Sequence, residues 1–174
     1  MSSFWQSTEP VKSRASTLTY TMQILIFNGP NLNRLGTRKP EIYGTKTMAQ
    51  ILLDIQQRWP DVHFVYKQSN HEGALIDWIQ EANGELINGD AALNGERVQG
   101  IVLNAGGYSH TSVALRDAIE DCNIPVVEVH ISDITKRETF RLTDLLTDVC
   151  VRTITGHGTK GYEEAVEHII AIGH

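Results

Sequence analysis

The sequence predicts an α/β fold built on a doubly wound sheet of five parallel strands. Three observations predict it. Short apolar runs alternate with stretches carrying apolar residues at helical spacing. The clearest run, Gln23-Ile24-Leu25-Ile26-Phe27, is continuously apolar after its first residue, as in a strand covered on both faces. The chain has 174 residues, a length for one domain with a core that needs no disulfide or metal.

The first strand ends at Asn28-Gly29-Pro30. A helix is expected from Thr47, with Met48, Ile51, Leu52, Ile55 and Trp59 on one stripe and Pro60 as its stop. Val62 to Tyr66 alternates as strand two, and Leu75, Ile76, Trp78 and Ile79 mark a helix over 72–82. Val98 to Leu103 is strand three. Thr111 to Asp121 is expected as a helix capped by Ser109 or Thr111, Pro125 to Val129 as strand four, and Val149 to Thr155 as strand five. A last helix over 161–172 presents Ala165, Val166, Ile169 and Ile170 for burial. Strands interleaved with helices imply right-handed crossovers, and at this size the flavodoxin-like order 2-1-3-4-5 is expected.

Residues 1–21 hold five serines and four threonines with no apolar stretch of signal-peptide type. They are expected to form a disordered extension ahead of one catalytic domain over 22–174. Three Asn-Gly pairs between Asn83 and Gly95 predict a surface excursion. Asn31 to Lys46 is long and cationic for an α/β connection, as in a lid or binding loop. Net charge −6 and a pI of about 5.6 argue against general nucleic-acid or anionic-membrane binding. The apolar runs are too short to span a membrane, and Cys122 and Cys150 form no CxxC pair, so a reduced, cytoplasmic domain is expected.

In such a sheet ligands bind beyond the carboxyl ends of the strands. Asn28 to Asn31, then Asn104 to His110, then Glu128, His130, Ile131 and Ser132 leave those ends and meet at one rim. Glu128 occupies a strand position that should be apolar, so it needs a partner. His130 shares its face by the period of two and would gain basicity from the carboxylate. Tyr43, in the candidate lid with Arg34 and Arg38, could be held as a phenolate able to take a carbon-bound proton beside a ketone. Asn31 could hold the enolate oxygen while His130 protonates a leaving hydroxyl. Cofactor-free acid–base chemistry on a small polar anion follows; the molecule does not.

Other motifs carry less. Gly156 to Gly161 spells GxGxxG but follows the last strand, with no βαβ unit around it. Gly107-Tyr108-Ser109-His110-Thr111 lacks the second glycine of a nucleophile elbow, His71-Glu72 lacks a second zinc-binding histidine, and no Walker A pattern exists. Two rivals remain open: a flavin- or nucleotide-binding module using Asn28–Asn31 and Gly156–Gly161, and an inactive oligomeric scaffold.

Phe27-Asn28-Gly29-Pro30-Asn31-Leu32-Asn33-Arg34-Leu35-Gly36, Gln68-Ser69-Asn70-His71-Glu72-Gly73, Leu103-Asn104-Ala105-Gly106-Gly107-Tyr108-Ser109-His110-Thr111-Ser112 and Glu128-Val129-His130-Ile131-Ser132 resemble the signature segments of the type II 3-dehydroquinate dehydratases. The resemblance implies a flavodoxin-like fold and cofactor-free conversion of 3-dehydroquinate to 3-dehydroshikimate, in the shikimate pathway or in quinate breakdown. It implies Tyr43 as proton acceptor at C2, His130 as proton donor, Arg38 as the lid arginine that lowers the tyrosine pKa, and Asn31 at the enolate. Asn104, His110, Ile131, Ser132 and Arg141 match substrate-holding positions. Asp117 matches a residue reaching a neighbouring subunit's site, so trimers assembled into dodecamers are expected. Two segments depart from the family. The stretch around Asn83–Gly95 is longer, and after Arg141 a usual His-x-Ser-Tyr-Leu-Ser run is replaced by Leu142-Thr143-Asp144-Leu145-Leu146-Thr147. Both departures are expected to affect assembly more than chemistry.

Overall fold

The computed structural model describes residues 22–38, 44–84 and 98–173. Within them β1 (Met22–Asn28), β2 (Val62–Gln68), β3 (Val98–Asn104), β4 (Val126–His130) and β5 (Arg152–Thr155) form one sheet. Its order is β2-β1-β3-β4-β5 and every pairing is parallel, as expected. The connecting α-helices are α1 (Met48–Arg58), α2 (Glu72–Ala82), α3 (Val113–Glu120) and α4 (Lys160–Ile172). The extension expected over 1–21 lies outside the described residues, as does the expected excursion beyond Asn83 and Gly84.

The unbroken apolar character of β1 follows from helices on both sides of the sheet. Ile24 and Ile26 pack with Ile51 and Ile55 of α1 and with Ala165, Val166 and Ile169 of α4. Leu25 and Phe27, on the opposite face by the strand's period of two, pack with Leu75 and Ile79 of α2 and Leu115 and Ile119 of α3. Each of the Ile, Leu, Val and Phe side chains among these contributes roughly 1.5–3 kcal/mol when fully buried. Helix α1 starts where expected, because Thr47 and Gln50 cap one another. The Thr47 hydroxyl accepts from Gln50 N at 3.3 Å, and Gln50 Oε1 accepts from Thr47 N at 2.9 Å.

Two element starts differ from expectation by two residues or more. The third helix begins at Val113, and its cap is Ser112, whose Oγ accepts from Leu115 N at 2.8 Å. A 3-10 turn over Gly106–His110 comes first and turns Ser109 inward, so that hydroxyl is unavailable as a cap. Strand β5 begins at Arg152 instead of Val149. Val149 N and Cys150 N both donate to the Leu146 carbonyl, closing a turn that postpones pairing with β4. The apolar residues there pack against the α2–α3 layer and form no ladder.

At the other ends the strands outlast their apolar runs. Pairing continues to Asn28, Gln68, Asn104 and His130, so polar residues close four of the strands and lie in fixed register at one edge.

Candidate active site

From β1 the chain runs outward to β2 and then crosses back to β3 on the other side of β1, and the crevice opens at that reversal. Gly29 makes the approach possible. A Cβ at this position would stand 2.5 Å from the Ala105 carbonyl oxygen, while Gly29 N donates to Asn104 O at 2.8 Å. The crevice has a volume of about 140 Å³. At about 10–15 Å³ per water of such space, that holds a metabolite of roughly ten heavy atoms.

The structure brings most of the expected site residues to its walls. Asn31, Arg34 and Arg38 come from the loop after β1, Asn104 and His110 from β3 and the turn beyond it, and His130, Ile131, Ser132 and Arg141 from β4 and its sequel. Glu128 lies beneath His130, with its side chain wholly buried. Asp117 is on α3 and does not line this crevice. Tyr43 lies outside the described residues. The first part of the candidate lid is anchored: Leu32 and Leu35 are buried around a 3-10 turn at Leu32–Arg34. Asn31 adopts a left-handed conformation, φ 67°, with its N–H on Asn70 Oδ1 at 2.9 Å.

His130 is held by two carboxylates. Its Nε2–H faces Glu128 Oε1 at 3.0 Å and Asp144 Oδ2 at 2.9 Å. Burial opposes a charged ring here, but the hydrogen bonds and charges of Asp144 and Glu128 outweigh it and raise the pKa from 6.5 to about 9. Burial likewise disfavours ionised Asp144, yet the hydrogen bonds from His130 and from Leu146 N hold its carboxyl below the ordinary value. Glu128 is satisfied on both oxygens. Ser109 Oγ donates to Oε1 at 2.9 Å, and Thr153 and Thr147 hydroxyls donate to Oε2 at 3.2 and 3.4 Å. The expected Glu128–His130 pairing is therefore present, within a larger network.

Neighbouring groups are fixed by equally local means. His110 Nδ1–H donates to the Thr143 carbonyl at 2.7 Å, which leaves Nε2 for the crevice, and its ring stacks on His130 at 6.1 Å. Asn104 donates from Nδ2 to Tyr162 Oη at 3.0 Å and accepts from Gly106 N at 3.2 Å. The segment from His130 to Ser132 is gripped through its carbonyls: Gly156 N donates to His130 O at 3.1 Å and Gly158 N to Ile131 O at 3.0 Å. Those amides are the ones a phosphate would need, so the GxGxxG loop serves as a brace for the site.

Sequence reasoning passed over Arg137, which lines the crevice and donates to Ser132 Oγ at 3.2 Å, and Tyr162, which joins two strand ends. It also passed over Asp144. The run after Arg141, expected to affect assembly more than chemistry, delivers this carboxylate to His130. The only signal was an aspartate two residues before Leu146, the ordinary pattern of a turn former.

This fold and crevice define an α/β enzyme whose acid–base groups gather at the carboxyl edge of a parallel sheet. More narrowly, the chain belongs to the family described as Dehydroquinase class II, whose pattern matches residues 22–170. It is 45% identical over 150 residues to a 3-dehydroquinate dehydratase of Exiguobacterium sp., covering 86% of this chain and 94% of that protein. It is 48% identical over 147 residues to a catabolic 3-dehydroquinase of Phaeosphaeria nodorum, covering 83% and 89% respectively. Among solved structures, a type II dehydroquinase from Butyrivibrio crossotus superposes with a TM-score of 0.76 at 41% identity, covering 86% of this chain and 97% of that one.

Proposed function

We propose that the protein is a hydro-lyase that removes water from 3-dehydroquinate to give 3-dehydroshikimate by cofactor-independent acid–base elimination. The Tyr43 phenolate, favoured by the Arg38 and Arg34 charges, takes a proton from C2. The bonding pair moves into the adjacent ketone as an enolate, whose oxygen Asn31 stabilises. As the enolate collapses to the conjugated double bond, the hydroxyl on C1 departs with a proton from His130, leaving as water. Asn104, His110 and Arg141, with the backbone N–H groups of Ile131 and Ser132, hold the substrate's hydroxyls and carboxylate.

The observation that carries this reading is His130. It is a buried ring kept cationic by two carboxylates, at the wall of a crevice ringed by Arg34, Arg38, Arg137 and Arg141. An acid is thereby ready at neutral pH beside a site suited to an anion. One relative is named as catabolic while another is named by the reaction alone, so the reaction rather than the pathway is the reading. Assembly into trimers and dodecamers, with Asp117 entering a neighbouring site, fits the exposed apolar Val113 on the same helix and Phe140 and Leu142 beside Arg141. Cytoplasmic action goes with this chemistry; no described helix is long and apolar enough to cross a membrane.

The test is the rise in ultraviolet absorbance of the conjugated enone when purified protein meets 3-dehydroquinate with a metal chelator present. Steady product formation is expected. No absorbance change with folded, full-length protein overturns the reading.

A further inference from the structure

We infer that Asp144 is a positioning residue of this site: together with Glu128 it clamps the Nε2–H of His130, holds the ring as the imidazolium, and leaves Nδ1 to face the substrate. The inference deepens the dehydration reading and rests on it for its catalytic half.

The geometry is specific. Asp144 divides its carboxylate between two tasks, Oδ1 accepting from Leu146 N at 3.0 Å and Oδ2 from His130 Nε2 at 2.9 Å. The local turn therefore aims the second oxygen, and the side chain is only 9% exposed, so solvent does little to weaken the contact. His130 Nδ1 has no hydrogen bond among the described residues, and the ring lines the crevice.

The surrounding charges show why a second carboxylate is needed. Apart from the two histidines, the ionisable residues lining the crevice are Arg34, Arg38, Arg137 and Arg141, so its lining supplies no anion for a positive ring. His110 stacks on it at 6.1 Å and offers no counter-charge. Cys150 stands near the same carboxylates, and burial with their charges pushes its thiol pKa far up, so it remains neutral. Glu128 shares its oxygens among Ser109, Thr147 and Thr153 as well as His130. Asp144 is the acceptor committed on one oxygen to the ring alone.

The experiment follows the His130 ring resonance against pH by NMR, assigned by its disappearance in His130→Gln, beside kcat/KM for 3-dehydroquinate over the same range. In wild type the midpoint should lie well above 6.5, and kcat/KM should fall with pH through that midpoint. In Asp144→Asn the midpoint should drop by about one pH unit or more, because an amide can donate to the neutral ring nitrogen. The alkaline fall in kcat/KM should move by the same amount. At high pH this gives about a tenfold loss for each pH unit by which the midpoint falls, with little loss at pH 6. Asp144→Glu, which keeps the charge, should recover part of the midpoint.

An unchanged midpoint in Asp144→Asn, or a loss of activity equal at every pH, overturns the inference. If that variant does not fold, Asp144→Ser replaces it, and a wild-type midpoint near 6.5 overturns the inference without any variant. Should wild type fail to dehydrate 3-dehydroquinate while the ring midpoint stays high, the proposed reaction falls and the clamp stands.

Discussion

Tyr162 is wholly buried on α4, and its hydroxyl ties together the last residues of β1 and β3. It donates to Asn28 Oδ1 at 2.8 Å and accepts from Asn104 Nδ2 at 3.0 Å. Burial pushes the phenol pKa up, so it stays a donor at any working pH. Tyr162→Phe removes one oxygen and leaves two buried amides each short of a partner. Unfolding in urea should show a loss of about 1–3 kcal/mol, the range for stranding buried polar groups. Because Asn104 lines the crevice and Asn28 is its partner in the sheet register, KM for 3-dehydroquinate should rise in the same variant; unchanged stability would mean the bridge contributes nothing. Tyr43 differs in kind. As the proposed base it does its work in the transition state, so Tyr43→Phe should cut turnover by about 10²–10⁴-fold while a substrate-like ligand still binds in a direct titration. Near-normal turnover would remove Tyr43 from the mechanism.

Helix α3 depends on one hydroxyl for its start. Ser112 is 2% exposed, and its Oγ takes the Leu115 N–H that the first turn leaves without an intrahelical partner. Ser112→Ala should cost about 1 kcal/mol in chemical denaturation. Ser109→Ala should leave the helix start unchanged and instead deprive Glu128 of a donor. Equal effects on α3 would contradict this division. The pair also marks where sequence reading reaches its limit. Apolar periodicity revealed the strands and helices, a first strand covered on both faces and the helix start at Thr47, because burial leaves local patterns; the strand order followed from the alternation of elements and the size of the chain. The sequence pointed to Ser109 or Thr111 as the cap and missed Ser112, since the 3-10 turn before the helix sets which hydroxyl meets its first turn and no apolar stripe records it. The strand ends were read one or two residues short for a related reason: the apolar run ends before pairing does. The rim of Asn31, Asn104, His110, Glu128 and His130 was legible because polar residues interrupt a buried edge. Asp144 was not, because its contact with His130 joins segments that no local period connects.

At the scale of the whole molecule, the buried imidazolium should give the fold a pH dependence that its surface charges do not. Arg58 bridges α1 and α4 through Glu163 and Glu167 at 3.1 and 3.3 Å, but its side chain is 49% exposed. Such pairs contribute about 0–1 kcal/mol and change little between pH 6 and 9. The exposed His157–Glu164 pair is similarly weak. His130 is different. Its folded pKa of about 9 exceeds the unfolded 6.5, so the native state holds a proton that the unfolded chain releases. The associated stability is fully present below pH 6.5, is lost as pH rises toward 9, and amounts to about 3 kcal/mol at roughly 1.36 kcal/mol per pH unit. The depressed Asp144 carboxyl works from the acid side: its contribution is present above the ordinary carboxylate range and is lost as pH falls through the folded value. Both effects arise from one ion pair, so their energies are not added. A domain of this size is stable by about 5–15 kcal/mol, which makes the alkaline loss a substantial share. Urea unfolding at pH 6, 7.5 and 9 should therefore show wild type losing about 3 kcal/mol more than His130→Gln across that interval. Parallel declines in the two proteins would mean that the ring is not protonated in the native state at neutral pH, and the acid assigned to it would have to be sought elsewhere.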